Sequence, residues 1–274
     1  MRKISILMVS VLCMMMPVGG EAQVPTAFVS KGTTDIQAQP HTITQTSSGA
    51  QWAPVDPMVR SITMENGLPS NAVRSVVQGS KGYMWFGTDN GLCRFDGYDV
   101  ETYYNPFTTV DQYVSALTAC EEGLLVGCNN GAYLFSYETD RFQKLSDKIT
   151  APVLNFSLDG DQNVWISTNG QGVFRYNRTT RELHQYPMKN IQGIVQCMLV
   201  DANNQVWMLS NHGKASIYHL NKSTDQFEAF PVKGDANRFY GLAMLASPDG
   251  NIYVGTWDNG LFKLNADCGA EQLI

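Results

Sequence analysis

Few residues in this sequence could carry out chemistry. The four histidines are His41, His184, His212 and His219, and none belongs to a nucleophile or metal motif. Neither G-x-S-x-G nor the phosphate-binding G-x-x-x-x-G-K-[ST] occurs. The run 159–163 begins like a calcium loop, but Val164 and Gly170 replace the glycine and glutamate that such a loop needs. The sequence therefore predicts no catalytic residue, no metal and no cofactor, and a function other than catalysis.

Binding residues are better represented than catalytic ones. Asn, Asp, Gln and aromatic residues gather in short turns, where amides and carboxylates can bond sugar hydroxyls and aromatic rings can cover sugar CH groups. The candidate ligand contacts are Trp257, Asp258, Tyr240, Arg238, Tyr113 and His212. The alternative is purely structural, because Asn and Asp in tight turns usually serve backbone geometry.

Short strands must position these candidates. The stretch 65–104 contains four apolar or alternating runs, 72–78, 83–88, 91–95 and 100–104, separated by clusters of Gly, Ser, Asn and Asp. Such runs predict an antiparallel meander of four strands. Helical repeats would need apolar residues at helical spacing over ten or more residues, and here the apolar stretches are too short.

The meander occurs five times along the chain. Its anchor, in the second strand of each copy, is Trp85, Leu125, Trp165, Trp207 or Tyr253, at spacings of 40, 40, 42 and 46 residues. A period of about 40–45 residues with four strands per repeat is typical of β-propeller blades. We therefore predict an all-β fold, a β-propeller of four-stranded antiparallel blades over residues 55–274. The anchors are expected to pack between blades rather than to stack on sugars.

The fifth repeat is predicted to be incomplete, since only ten residues follow Leu264. One alternative is that residues 58–64 supply its outer strand and close a five-bladed ring. In the other, the same segment closes a larger ring with a later blade. Unclosed blades would expose strand edges.

The N-terminal part has a different character. Residues 1–22 combine Arg2 and Lys3, an apolar run and a small-residue end, which predicts a secretory signal peptide. Residues 23–54, rich in Thr, Ser, Gln and Ala, are predicted to be a flexible spacer. A net charge of −6 without basic clusters indicates no contact with nucleic acid. Removal of the signal leaves five cysteines, an odd number that favours buried free thiols over a disulfide framework.

The first repeat also resembles a known family. GLPSNAVRSVVQGSKGYMWFGTDNGLCRFDGY closely resembles the two-component regulator propeller repeat, found in the exported sensor regions of hybrid two-component systems of Bacteroidetes. VWISTNGQGVFRY and IYVGTWDNGLFKL keep the pattern, whereas the second and fourth copies depart from it. The resemblance implies a larger, seven-bladed propeller, followed by a second β-domain, a transmembrane helix and a cytoplasmic histidine kinase. By this comparison the chain is an N-terminal fragment or a truncated product.

The resemblance implies a periplasmic sensor propeller that recognises an oligosaccharide or other small ligand and signals to a histidine kinase absent from this chain. Further blades, the kinase region and a second copy in a homodimer are the other expected partners. Two alternatives stay open: a polysaccharide lyase or hydrolase on the same propeller, or a scaffold for protein interactions.

Overall fold

The fold is described here from a computed structural model. The structure describes residues 61–108, 111–186, 194–211, 217–230, 240–247, 250–257, 260–265 and 269–273. Within these ranges the regular structure is one short 3-10 turn, Met64–Asn66, and β-strands. No helix among the described residues is long and apolar enough to cross a membrane.

The strands form five sheets of four, each an antiparallel meander in chain order, as predicted for propeller blades. Blade 1 contains β1 (Val73–Gln78), β2 (Met84–Thr88), β3 (Gly91–Phe95) and β4 (Val100–Tyr103). Blade 2 contains β5 (Val114–Ala119), β6 (Gly123–Cys128), β7 (Gly131–Ser136) and β8 (Arg141–Lys144). Blade 3 contains β9 (Val153–Leu158), β10 (Asn163–Thr168), β11 (Gly172–Asn177) and β12 (Leu183–Tyr186).

The last two blades have the same plan. Blade 4 contains β13 (Val195–Val200), β14 (Val206–Ser210), β15 (Ile217–Asn221) and β16 (Gln226–Ala229). Blade 5 contains β17 (Gly241–Ala246), β18 (Ile252–Thr256), β19 (Leu261–Asn265) and β20 (Gly269–Gln272). The four runs predicted in blade 1 agree with its observed strands to within one residue at each end.

The prediction of an incomplete fifth blade is wrong. β20 pairs with β19, from Phe262 opposite Gln272 to Asn265 opposite Gly269, and supplies the outer strand. The few residues after Leu264 are enough, because an outer strand needs only four residues here. Of the segment 58–64, the described residues 61–63 form no strand and lead into the 3-10 turn at Met64.

The blades follow one another through their first strands. β1 lies beside β5, β5 beside β9, β9 beside β13 and β13 beside β17. No comparable packing joins β17 to β1 within the described residues. The five sheets form a consecutive series of blades.

Apolar clusters fill the spaces between successive blades. One cluster lies between each neighbouring pair, and each draws side chains from both blades. Trp85 and Trp165 are 1% exposed, which confirms the prediction that these anchors pack in the core. Tyr253 is only half-buried, because no described sheet covers its side of blade 5.

Hydrogen bonds across the blades complement this packing. Ser75 Oγ in β1 accepts from the backbone N–H of Leu117 in β5 at 3.1 Å. Asn155 Oδ1 in β9 accepts from Met198 N–H at 2.9 Å, and Ser157 Oγ accepts from Val200 N–H at 3.0 Å. The innermost strands are sheet edges, so such acceptors satisfy N–H groups that the ladder leaves unpaired.

The four described cysteines, Cys93, Cys120, Cys128 and Cys197, are buried and free. This confirms the predicted role of these thiols as buried hydrophobic groups. Cys268 lies outside the described residues.

Candidate functional site

The candidate site lies at one end of the blades. In a meander of four strands, the turns between second and third strands share an end with the connections from one blade to the next. The observed register agrees, since the start of β1 pairs with the end of β2 at Val73 and Thr88. We call this end the loop face; its described parts are 89–90, 104–108, 111–113, 129–130, 145–152, 169–171, 194, 211, 240 and 257.

Side chains of the turns hold the connections in place. The Asn129 amide donates to the Asp111 carboxylate. Gln171 Oε1 accepts from the backbone N–H groups of Thr150 and Ala151, both at 2.8 Å. These side chains hold the backbone of the connections in place. This supports the alternative that most polar turn residues of the loop face have a structural role.

One repeat position directly follows the second strand of every blade. It is occupied by Asp89, Asn129, Asn169, Asn211 and Trp257. In blade 4, Asn211 N–H donates to Ile194 O at 3.0 Å while its Oδ1 accepts from Ile194 N–H at 2.8 Å. Asn211 is 6% exposed, so here the amide closes the end of the strand pair rather than facing solvent.

Trp257 keeps the backbone contact of this position without the side-chain contact. Its N–H donates to Tyr240 O at 2.9 Å, so the two predicted residues lie side by side. An indole has no acceptor with which to bond the Tyr240 N–H. The Trp257 side chain is 57% exposed, which leaves an aromatic surface open at the loop face.

A group of polar side chains lies where blade 1 meets the connection to blade 2. Arg74 and Asp89 form a bidentate pair, with Nε–Oδ1 at 2.6 Å and Nη2–Oδ2 at 2.8 Å. The Arg74 guanidinium also lies 5.6 Å from the centre of the Tyr113 ring. The two charged side chains are 18% and 35% exposed, so the pair is partly shielded from water.

A β-bulge positions Arg74. The pairing of β1 with β2 shifts between Val73 and Ser75, and Arg74 is the extra residue. The same shift recurs near the loop-face end of the first strand in each blade, and the other extra residues are Ser115, Leu154, Gln196 and Leu242. Bulges redirect side chains and are frequent beside functional sites.

The connection that follows blade 1 presents another aromatic ring. Phe107 is 53% exposed and stacks on buried Tyr133, with 5.6 Å between ring centres. Asn105 Oδ1 accepts from Phe107 N–H at 2.9 Å, and Asn105 N–H donates to Gln112 Oε1 at 2.7 Å. These bonds hold the segment from within, so Phe107 is presented in one orientation.

The thiol beneath this connection is not a nucleophile at neutral pH. Burial raises the pKa of Cys128 to about 12, although the Asn105 side chain lies against it and partly offsets the rise. A catalytic cysteine needs the opposite shift, toward the thiolate.

The carboxylate of Asp159, in the run that begins like a calcium loop, is used for hydrogen bonds within the blade. It accepts from Trp165 Nε1 at 2.8 Å and from the N–H groups of Asp161 and Asn163.

Three of the six predicted contacts can be located. Tyr113, Tyr240 and Trp257 lie at the loop face, with Tyr240 beside Trp257 and Tyr113 beside Arg74. His212, Arg238 and Asp258 lie outside the described residues. Sequence reasoning did not single out Arg74 or Phe107. A charged residue in an innermost strand was a signal for Arg74, whereas Phe107 stood in a connection with no local pattern to distinguish it.

The arrangement suits non-covalent recognition of a polar ligand. It offers exposed aromatic faces at Phe107 and Trp257, and a charged pair at Arg74 and Asp89. Aromatic faces and forked polar groups of this kind can bind a hydroxylated ring from its face and its edge.

Comparison with known proteins agrees with this class of fold. Residues 67–90 match the family described as "Two component regulator propeller", which confirms the resemblance of the first repeat. A search of curated proteins by sequence found no match.

Solved structures share the fold over most of this chain. The extracellular domains of two hybrid two-component systems from B. thetaiotaomicron each superpose with a TM-score of 0.63 at 20% identity, over 73% and 76% of this chain. This chain spans only 27% and 30% of theirs. Virginiamycin B lyase from Staphylococcus aureus gives a TM-score of 0.62 at 14% identity, over 73% of this chain and 69% of its own. At such identities the likeness shows the β-propeller fold, which sensors and enzymes share.

Proposed function

We propose that this chain is the ligand-sensing propeller of an exported hybrid two-component sensor, and that its loop face binds an oligosaccharide in the periplasm. Further blades and a histidine kinase, carried outside the chain described here, would convert binding into a signal by rearrangement or dimerisation. The match of residues 67–90 and the likeness to extracellular sensor domains support the sensor part of the proposal.

The observation that carries the ligand part is Trp257. Four blades have Asp or Asn at its repeat position, and blade 5 instead has an indole that is 57% exposed beside Tyr240. Exposed aromatic side chains cost solubility, and a large exposed ring at a loop position commonly marks a contact surface. Stacking on the face of a sugar ring uses such a surface, while nearby amides and carboxylates bond the hydroxyl groups.

Calorimetry of the full chain against an oligosaccharide panel tests the proposal. Trp257→Asn restores the residue of three other blades and should keep the fold, while weakening binding about tenfold or more through the lost stacking surface. Tyr98→Asn is the matched control, because Tyr98 is 83% exposed in the turn between β3 and β4, at the other end of the blade. Absence of binding to every oligosaccharide, or equal loss in both variants, would contradict the proposal.

Catalysis on the same propeller is the second candidate function, and the fold shared with virginiamycin B lyase is the observation in its favour. A lyase would convert polysaccharides into products with unsaturated ends, whereas a sensor would bind without turnover. Incubation with a polysaccharide panel, followed by absorbance of unsaturated products and assay of reducing ends, separates the two. A scaffold for protein interactions would show neither turnover nor binding of saccharides, and would instead retain a protein partner in a pull-down.

A further inference from the structure

A groove lies between blades 2 and 3, over the apolar cluster that these two blades share. It has a volume of about 180 Å³, and its apolar wall includes Leu125 of β6, Leu134 of β7 and Tyr176 of β11. A volume of this size holds about six water molecules, taking roughly 30 Å³ of liquid volume for each. Such a space fits a small ring or a short alkyl chain.

The groove exists because blade 2 lacks the aromatic anchor. Between blades 1 and 2, Trp85 packs against Phe135 and Tyr137, with ring centres 5.4 and 5.8 Å apart. Between blades 3 and 4, Trp165 packs against Phe227 at 5.9 Å. Leu125 occupies the anchor position of blade 2, and an isobutyl group is smaller than an indole.

The polar side chains at the groove are mainly cationic. Lys144, Arg178 and Arg181 line it, and Glu122 is the one acidic residue among the lining residues. Glu122 pairs with Arg178 and the exposed Asp147 pairs with Lys144, so the three cations exceed these two carboxylates by one charge. The chain as a whole carries a formal charge of −6, so this local positive excess runs against the overall balance. A positive site in an acidic protein favours an anionic ligand by charge complementarity.

Arg178 retains unused donor capacity. Its Nη1 bonds Glu122 at 2.7 Å and its Nη2 bonds Gln162 Oε1 at 2.5 Å. Its Nε is buried and has no hydrogen-bond partner among the described residues. A buried donor without an acceptor is costly, and a bound anion is one way to satisfy it.

We propose that this groove binds a small carboxylate with an apolar body, such as an aryl or cycloalkyl carboxylate. The apolar body lies against Leu125, Leu134 and Tyr176, and the carboxylate is held by Lys144, Arg178 and Arg181. This site is separate from the oligosaccharide site proposed at the loop face. The small volume limits the contact area, so affinity is expected in the range of about 10 μM to 1 mM.

Benzoate and benzamide are the matched probes, measured by ligand-detected NMR and calorimetry on the full chain. Benzoate should bind saturably, and the uncharged amide should bind at least tenfold more weakly. Leu125→Trp inserts the residue that fills this position in three other blades and should abolish benzoate binding. Arg181→Gln, in an exposed turn, should weaken it several-fold without affecting the fold.

Arg94→Gln provides the control, since Arg94 pairs with Glu101 on blade 1, away from the groove. The proposal is overturned by equal binding of the acid and the amide, by no saturable benzoate binding, or by benzoate affinity that neither groove variant changes. If Leu125→Trp does not fold, the comparison of Arg181→Gln with Arg94→Gln decides. Binding of oligosaccharides is tested separately, so failure here leaves the proposed sensor function unaffected.

Discussion

At the scale of single residues, one Asp in the turn between first and second strands does several tasks at once. In blade 4, Asp201 Oδ2 accepts from Trp207 Nε1 at 2.9 Å, and its Oδ1 accepts from the N–H groups of Asn203 and Gln205, both at 2.9 Å. The same carboxylate therefore shapes the turn and satisfies the anchor indole. Blade 1 has Gly79 at this position, and its Trp85 Nε1 is buried without a partner among the described atoms.

Replacement of Asp201 by Ala is expected to destabilise the fold. It removes an acceptor from three donors, two of them in part-buried bonds, and the net loss per hydrogen bond is about 0.5–1.5 kcal/mol. Urea unfolding followed by tryptophan fluorescence measures the loss. Asp147→Ala is the control, because Asp147 is 97% exposed and its pair with Lys144 adds little. Equal stability of the two variants would show that the bonds of Asp201 carry no net stabilisation.

At the scale of elements, small residues in the second strands set the spacing between blades. A Cβ on Gly127 would lie 2.8 Å from Val153 Cγ1, and one on Gly87 would lie 2.7 Å from Val114 Cγ1, in each case in the next blade. At the equivalent Gly255 of blade 5, no atom of the described residues lies within 4 Å of such a Cβ. Blade 5 therefore has room on this side for the first strand of another blade, which fits the prediction of a larger propeller.

Gly127→Ala and Gly255→Ala form a matched pair that tests this spacing. The first should lower stability by about 1–3 kcal/mol, because the added methyl group overpacks the contact between blades. The second should change stability by less than about 0.5 kcal/mol, as expected for a position without close neighbours. Thermal unfolding of both variants provides the comparison. A large loss for Gly255→Ala would mean that something covers this face in solution.

The elements were also where prediction from sequence worked best. Alternation and turn residues are local signals, so the four runs of the first repeat located β1 to β4 closely. Bulges depend on pairing with another strand, and no local pattern indicated that Arg74 would be redirected toward Asp89. The outer strand β20 was missed because its sequence, Gly-Ala-Glu-Gln, contains no β-branched or aromatic residue, unlike the equally short β4 with Val100 and Tyr103.

The candidate site was predictable only in part. Topology placed Tyr113, Tyr240 and Trp257 at one end of the blades, and the structure agrees for these three. The exposure of Phe107 depends on its stacking against Tyr133 in the next blade, a contact that a single repeat does not encode. Ligand contact itself stays a prediction for all six residues named from the sequence.

At the scale of the whole molecule, the buried thiols make the free energy of unfolding depend on pH in the alkaline range. Burial raises the pKa values of Cys93, Cys120 and Cys197 to about 11 and that of Cys128 to about 12, from 9.0. Above pH 9 an unfolded chain releases thiol protons that the folded chain retains. The stabilisation that the protonated thiols contribute is therefore fully present below pH 9. The free energy of unfolding falls as the pH rises from 9 toward 11.

Urea unfolding at pH 8, 9.5 and 10.5 should show this decline. Cys128→Ala should lower the free energy of unfolding at pH 8, because the smaller side chain leaves a small cavity. The free energy of unfolding of this variant should decline less steeply with pH, because one thiol with a raised pKa has been removed. A substitution at an exposed position that does not titrate, Thr139→Ser, should leave the decline unchanged. Identical slopes for the wild type and Cys128→Ala would rule out this thiol as a source of the pH dependence.

The hydrogen bonds that side chains of one blade accept from the edge N–H groups of the next blade's first strand share one arrangement. In each of the three described, the acceptor side chain (Ser75, Asn155 or Ser157) belongs to the earlier blade and the N–H group to the later one. A chain made from its N-terminus thus completes each acceptor surface before the strand that needs it emerges. Assembly in the order of synthesis therefore lets the N–H groups of Leu117, Met198 and Val200 meet their acceptors as soon as their strands form.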